Sequence, residues 1–158
     1  MSFKKLTKIP PKLIVNPELL TFITSIGIIA QSSIILYYDG KNSSSRIHID
    51  DEGITDQANL NYVIDTGNAV ANWYTPVGNY TGVITDNGIT KMVSYDATKM
   101  KLIDRVCIKE ECLFQGGIPH NVSNLSSERW CVSIKLRNEK FGVVTWNQAL
   151  NLFNKFIA

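Results

Sequence analysis

Between positions 19 and 38 the chain carries no charged residue, and ten of those twenty positions are Leu, Ile or Phe. Twenty residues is about the length of helix that crosses a ~30 Å hydrocarbon core. Ten such side chains favour insertion by about 3–6 kcal/mol. The Asn16-Pro17-Glu18 run just ahead has the form of a helix start: Asn caps, Pro takes the first turn, and Glu faces the positive end of the helix dipole. Tyr37 and Tyr38 fall where interfacial aromatics sit, and Asp39-Gly40 closes the run. The pattern predicts a transmembrane helix over 19–38. Its polar members Thr21, Thr24, Ser25, Gln31 and Ser32 lie within an arc of roughly 120° at helical spacing, a stripe of the kind along which membrane helices pack. The same run also fits a cleaved signal peptide, with an apolar segment over 19–30 and Ala30-Gln31-Ser32 as a small-x-small cleavage site.

Beyond the span, Lys41-Asn42-Ser43-Ser44-Ser45 forms a polar joint within a linker over 39–53. Ala58, Tyr62, Val63, Ala69, Val70 and Trp73 approximate one apolar face and predict an amphipathic helix over 55–74, with Gly67 a weak point and Pro76 and Gly78 ending it. Strand periodicity follows at 89–95, 102–108 and 130–136. In the last of these Trp130, Val132, Ile134 and Leu136 face one way and Cys131, Ser133 and Lys135 the other. Arg137-Asn138-Glu139 turns the chain into a partner strand over 141–145. A short closing helix is capped by Thr145 and Gln148 and carries Ala149, Leu150, Phe153 and Phe156 as its apolar stripe. The expected fold class is therefore α+β: an N-terminal transmembrane helix, an amphipathic helix packed on a small antiparallel sheet, and a short C-terminal helix. The expected organisation is a basic leader over 1–18, the span, the linker, and a head domain over 54–158.

Composition refines this picture. The 158 residues are 44% apolar and 19% charged, with a formal net charge of +2, too little surplus for a nucleic-acid-binding surface. The charge is unevenly placed. Four lysines against one glutamate leave +3 in the first eighteen residues and −1 in the rest. Ahead of a membrane span, that asymmetry puts the N-terminus in the cytoplasm and the head outside.

Outside the membrane, three cysteines allow at most one intramolecular disulfide. Cys107 and Cys112 flank Ile108-Lys109-Glu110-Glu111 and would face each other across a hairpin; either could instead bridge to Cys131. Cys107, Cys112, His120 and Cys131 also make a C-x4-C-x7-H-x10-C set of soft ligands suited to zinc, without the short knuckle spacing of most such sites. His48 lies in the alternating stretch Arg46-Ile47-His48-Ile49-Asp50 and reads as a surface residue, and Asp50-Asp51-Glu52-Gly53 as a solvated acidic turn. No nucleophile elbow, zincin motif, phosphate loop or dinucleotide fingerprint is present. No enzyme activity, cofactor or metal is expected. Asn42, Asn79, Asn121 and Asn124 each begin an Asn-x-Ser/Thr sequon.

The order of parts, and the run Ala69-Val70-Ala71-Asn72-Trp73-Tyr74-Thr75-Pro76-Val77-Gly78-Asn79-Tyr80-Thr81-Gly82-Val83, resemble the type IV pilins and pseudopilins. In those proteins a long helix runs through an aromatic pair into a Tyr-x-x-x-Gly-x-Tyr loop. Trp130-Cys131-Val132-Ser133 is similar to a late cysteine-bearing strand of that family, while Leu13 stands where a prepilin leader carries glycine. The resemblance implies a non-enzymatic, membrane-anchored structural subunit that self-associates through its apolar helix into a filament. The alternative is a single-pass subunit of a secretion or conjugation complex whose head docks other envelope proteins.

Overall fold

The computed structural model describes residues 8–39, 44–50, 56–64, 69–86, 91–123, 128–139 and 142–156. In chain order it contains β1 (Lys8–Ile9), a 3-10 turn (Pro11–Leu13), α1 (Pro17–Ser25), β2 (Ile28–Asp39), β3 (Ile47–Ile49), β4 (Ala58–Ile64) and β5 (Val70–Pro76). These are followed by β6 (Val83–Asp86), β7 (Lys91–Tyr95), a second 3-10 turn (Ala97–Lys99), β8 (Met100–Cys107), β9 (Cys112–Gln115), β10 (His120–Ser123), β11 (Glu128–Asn138), β12 (Gly142–Val143) and α2 (Trp146–Phe153). Among the described residues the strands form two antiparallel sheets. The first has the order β1-β2-β11-β4-β9, with β12 also on β11; the second has the order β6-β7-β3-β10-β5-β8. From β2 to β5 and again from β8 to β11, successive strands alternate between the sheets, so the two lie face to face.

The transmembrane helix is not formed. Asn16 caps α1 as expected, its side chain accepting from the Glu18 amide at 2.8 Å. After nine residues the chain turns at Gly27, whose φ of +78° suits a residue without Cβ. The remaining residues of the expected span enter β2, which pairs with β11 along its length. Ile28, Ile29, Ile34 and Ile35 are β-branched and fit the pleat better than a helix, and the long partner strand decides between the two. No helix among the described residues is long and apolar enough to cross a membrane. The single-pass membrane localisation, the cytoplasmic leader, the extracytoplasmic head and assembly through an apolar helix all lose the span they required.

The helix expected over 55–74 is likewise replaced, by β4 and β5. Gly67 lies outside the described residues. The run that resembled the end of a pilin helix is strand β5, then a turn at Gly78 with φ +63°, then β6. Among the described residues the fold is thus mostly antiparallel sheet with two short α-helices, not an α+β head on a membrane helix. Within the expected linker, residues 47–49 form β3.

Other expectations hold. Strand β7 occupies most of 89–95, β8 overlaps 102–108, and β11 contains 130–136. β12 folds back on β11 with Arg137 opposite Val143. The Thr145–Gln148 capping box forms in both directions, at 3.3 and 3.0 Å. Val132, Ile134 and Leu136 turn to the face covered by both helices, where they pack with Leu60, Ile23 and Phe153. Burying each such side chain stabilises the fold by about 1.5–3 kcal/mol. The opposite face of the same strands, with Cys131, Asn59, Asn61 and Phe114, looks toward the second sheet, where Phe114 packs with Ala71 and Trp73.

Candidate metal centre

Strand β3 alternates. Ile47 and Ile49 are buried on one face, which sends His48 and Asp50 to the other. His48 stands directly opposite His120, the first residue of β10, with ring centroids 4.6 Å apart. Asp50 follows two residues after His48, where β3 ends. Its Oδ1 lies 3.3 Å from His48 Nε2 and 3.5 Å from His120 Nε2, and the donor atoms of all three residues fall within 4.8 Å of one another.

The outer nitrogens fix what the inner ones present. His48 Nδ1 is 2.8 Å from the Arg46 carbonyl and His120 Nδ1 is 2.9 Å from the Ile118 carbonyl. A carbonyl only accepts, so each Nδ1 bears the proton and donates it. In the neutral ring each Nε2 then carries a lone pair aimed at the same carboxylate oxygen, an arrangement that repels. Two things relieve it: a second proton on each imidazole, or one cation held by all three groups. Backbone carbonyls on Nδ1 are the usual outer support of a metal-bound histidine.

The distances bear on how an ion would be held. Ligands 2.0–2.1 Å from a tetrahedral ion stand about 3.3 Å apart, whereas an octahedral ion at that bond length needs about 3.0 Å. Two edges of the cluster, 3.3 and 3.5 Å, are near the tetrahedral value, while its widest span, 4.8 Å, is longer, so a bound ion would have to draw the donors together.

The electrostatics couple Asp50 and His48 as an ion pair, whose proton a metal ion would have to displace. Burial would raise the Asp50 carboxyl, but the charges and hydrogen bonds of His120 and His48 overcome it and hold the group far below the usual carboxylate range. Burial pulls the His48 imidazole down, and its bonds to Asp50 and the Arg46 carbonyl more than reverse that. His120 is nearly enclosed and meets Phe114 edge-on at 4.8 Å, while 27% of the Asp50 side chain remains exposed. An ion would enter from the Asp50 side.

A cradle holds Asp50 in place. Its Oδ2 accepts from Asn59 Nδ2 at 2.9 Å, and its amide donates to the Gly116 carbonyl at 3.2 Å. A Cβ on Gly116 would sit 2.5 Å from Asp50 Oδ2 and 2.8 Å from Asn59 Nδ2, so only glycine fits there. A Cβ on Gly117 would come closer still, to the backbone amide nitrogens of Asp56 and Gln57. Asn59 Oδ1, on the residue that orients Asp50, is buried without a hydrogen-bond partner among the described residues. A water on a bound ion would answer it.

The other candidate residues are placed differently. Cys107, Cys112 and Cys131 are free thiols. Cys131 and Cys112 lie on strands either side of β4, opposite Val63 and Asn61. With two strand spacings and a two-residue offset between them, their backbones are more than about 10 Å apart, past the reach of about 7 Å between Cα atoms that a disulfide allows. Cys107 belongs to the other sheet. The C-x4-C-x7-H-x10-C zinc set does not assemble, because His120 is turned to His48 and Asp50; among the described residues no cysteine joins a ligand cluster. Burial pushes the Cys112 and Cys131 thiols up to about 11.

The polar stripe is divided. Thr21, Thr24 and Ser25 remain on α1, where their hydroxyls donate to the carbonyls of Pro17, Leu20 and Phe22. Gln31 and Ser32 lie on β2. Among the sequons, Asn79 is exposed in a turn. Asn121 is buried and hydrogen-bonded to Asn72, Tyr74 and the Ser45 carbonyl. Asn42 and Asn124 lie outside the described residues.

Sequence reasoning took His48 for a surface residue and Asp50 for part of a solvated turn. The available signal was the His-x-Asp spacing in an alternating stretch, which puts both side chains on one face. Nothing along the chain points to His120, 72 positions after His48, as the third member. No family model matches the chain, and no curated protein matches it in sequence.

Proposed function

We propose that the protein binds a divalent transition-metal ion, with zinc the best fit, through His48 Nε2, His120 Nε2 and Asp50. The observation that carries this is the convergence of two imidazole nitrogens, each fixed by a carbonyl behind it, on one carboxylate oxygen at 3.3 and 3.5 Å. Borderline nitrogen donors with a single carboxylate suit zinc and its neighbours in the first transition row better than calcium or magnesium, which take oxygen. Ligands from β3 and β10, with Asn59 reaching across from the first sheet, make the ion a clasp between the two layers of the fold.

Titration of the metal-stripped full chain with zinc tests this. One ion per chain is expected, with cobalt giving the intense visible absorption of a tetrahedral site. His120→Gln and His48→Gln should each lower affinity at least a hundredfold, and Asp50→Asn at least tenfold. Unchanged binding in the His120→Gln variant, or no binding by the unaltered chain, overturns the assignment.

A further inference from the structure

On the opposite side of the first sheet, away from the metal centre, α1 does not cover the whole face. Tyr62, Ile64 and Trp130 remain 40%, 50% and 43% exposed, although they lie on central strands. A cleft of about 460 Å³ opens beside them between the start of α1 and the sheet. Its volume is within the range of about 300–1,000 Å³ that takes small organic ligands. Val132 and Ile134 are buried at its base, Leu19 and Tyr62 line its sides, and among the described residues Glu18 and Glu111 are the only charged ones in its lining.

The charge is one-sided. The Asn16 side chain is engaged with the Glu18 amide, and Glu18 answers the positive end of the α1 dipole. Glu111, exposed in the connection between β8 and β9, has no such partner, and neither glutamate forms an ion pair among the described residues. Next to the cleft, Trp130 packs against Tyr37 with ring centroids 4.4 Å apart and stands opposite Ile64. Aromatic faces beside carboxylates attract organic cations through the ring quadrupole as well as by charge.

We propose that this cleft binds a small organic cation with an apolar body, an aryl- or alkylamine. The body lies on Val132, Ile134 and Tyr62, and the ammonium group is directed to the glutamate rim. This site is independent of the metal centre. The test follows backbone amide shifts of the full chain on addition of 4-phenylbutylamine or 4-phenylbutyrate, which share a body and differ in charge. The amine should saturate shifts at residues 62, 64, 132 and 134 and bind at least tenfold more tightly than the acid. Glu111→Gln, an exposed change expected to leave the melting temperature unaltered, should remove about tenfold of the amine's affinity and none of the acid's. Equal affinity for the two probes, shifts confined to other residues, no saturation, or an unaffected Glu111→Gln variant overturns the proposal.

Discussion

At the residue scale, one glycine determines whether Asp50 can be a ligand. Gly116 approaches so closely that any Cβ would collide with Asp50 Oδ2 and Asn59 Nδ2. Gly116→Ala is therefore expected to destabilise the fold by about 1–3 kcal/mol. It should also weaken zinc binding more than tenfold, because the carboxylate must leave the position that the histidines face. Chemical denaturation and calorimetric titration of that variant check both effects. The cysteines make a second residue-level prediction. With the Cys112 and Cys131 thiols pushed up to about 11, both remain protonated at pH 8, and the thiolate is the reactive form. A thiol reagent at pH 8 should label one cysteine per native chain promptly, the exposed Cys107, and all three in denaturant. Labelling of Cys112 should accelerate about tenfold per pH unit up to its titration. Prompt labelling of Cys131 in the native chain would contradict its burial.

At the scale of elements, the short-range signals are reliable and the long-range ones are not. The Asn16 cap, the Thr145–Gln148 box and the alternation of β11 were all visible in the sequence, because each depends on residues within a few positions of one another. Thr145→Ala should cost about 1 kcal/mol, and Ile134→Ala, at the centre of the helix-covered face, about 2–5 kcal/mol. Gly27→Ala places a side chain at φ +78° and should cost about 1–2 kcal/mol, although the position is spatially open. Urea unfolding of the three variants gives the order Ile134, then Gly27, then Thr145. The apolar run over 19–38 misled because its composition suits a membrane helix and a buried strand alike. Gly27 and the β-branched isoleucines after it were the local evidence for a break. The run over 55–74 failed in a similar way: Tyr62, Val63, Val70 and Trp73 have helical spacing by coincidence but strand-forming side chains.

At the scale of the molecule, an ion bound by His48, Asp50 and His120 would join β3 to β10 and, through Asn59, the second sheet to the first. Ligation of the native state alone raises stability by about 2.7 kcal/mol at a free ion concentration one hundred times the dissociation constant. Zinc should accordingly raise the melting temperature of the chain and leave that of His120→Gln unchanged. The direction with pH follows from the ligands. Zinc takes the neutral imidazoles, so its affinity and the melting shift grow as pH rises through the histidine range, and because contacts with Asp50 raise the His48 imidazole, protons begin to displace the ion already above the ordinary histidine value. Calorimetric melts at pH 5.5 and 7.5, with and without zinc, measure the difference. A larger shift at the lower pH would show that the ion binds elsewhere.

Helix starts, the closing helix, the two faces of β11 and the low charge follow from the residues in order, since neighbours a few positions apart settle them. The tertiary structure alone decided that the second half of the longest apolar run is sheet, because pairing with β11, about a hundred residues later, satisfies its backbone along its whole length and Ile28 is buried there. It alone decided that His48 and Asp50 meet His120, because a strand fixes which face a side chain occupies but not which strand will lie beside it.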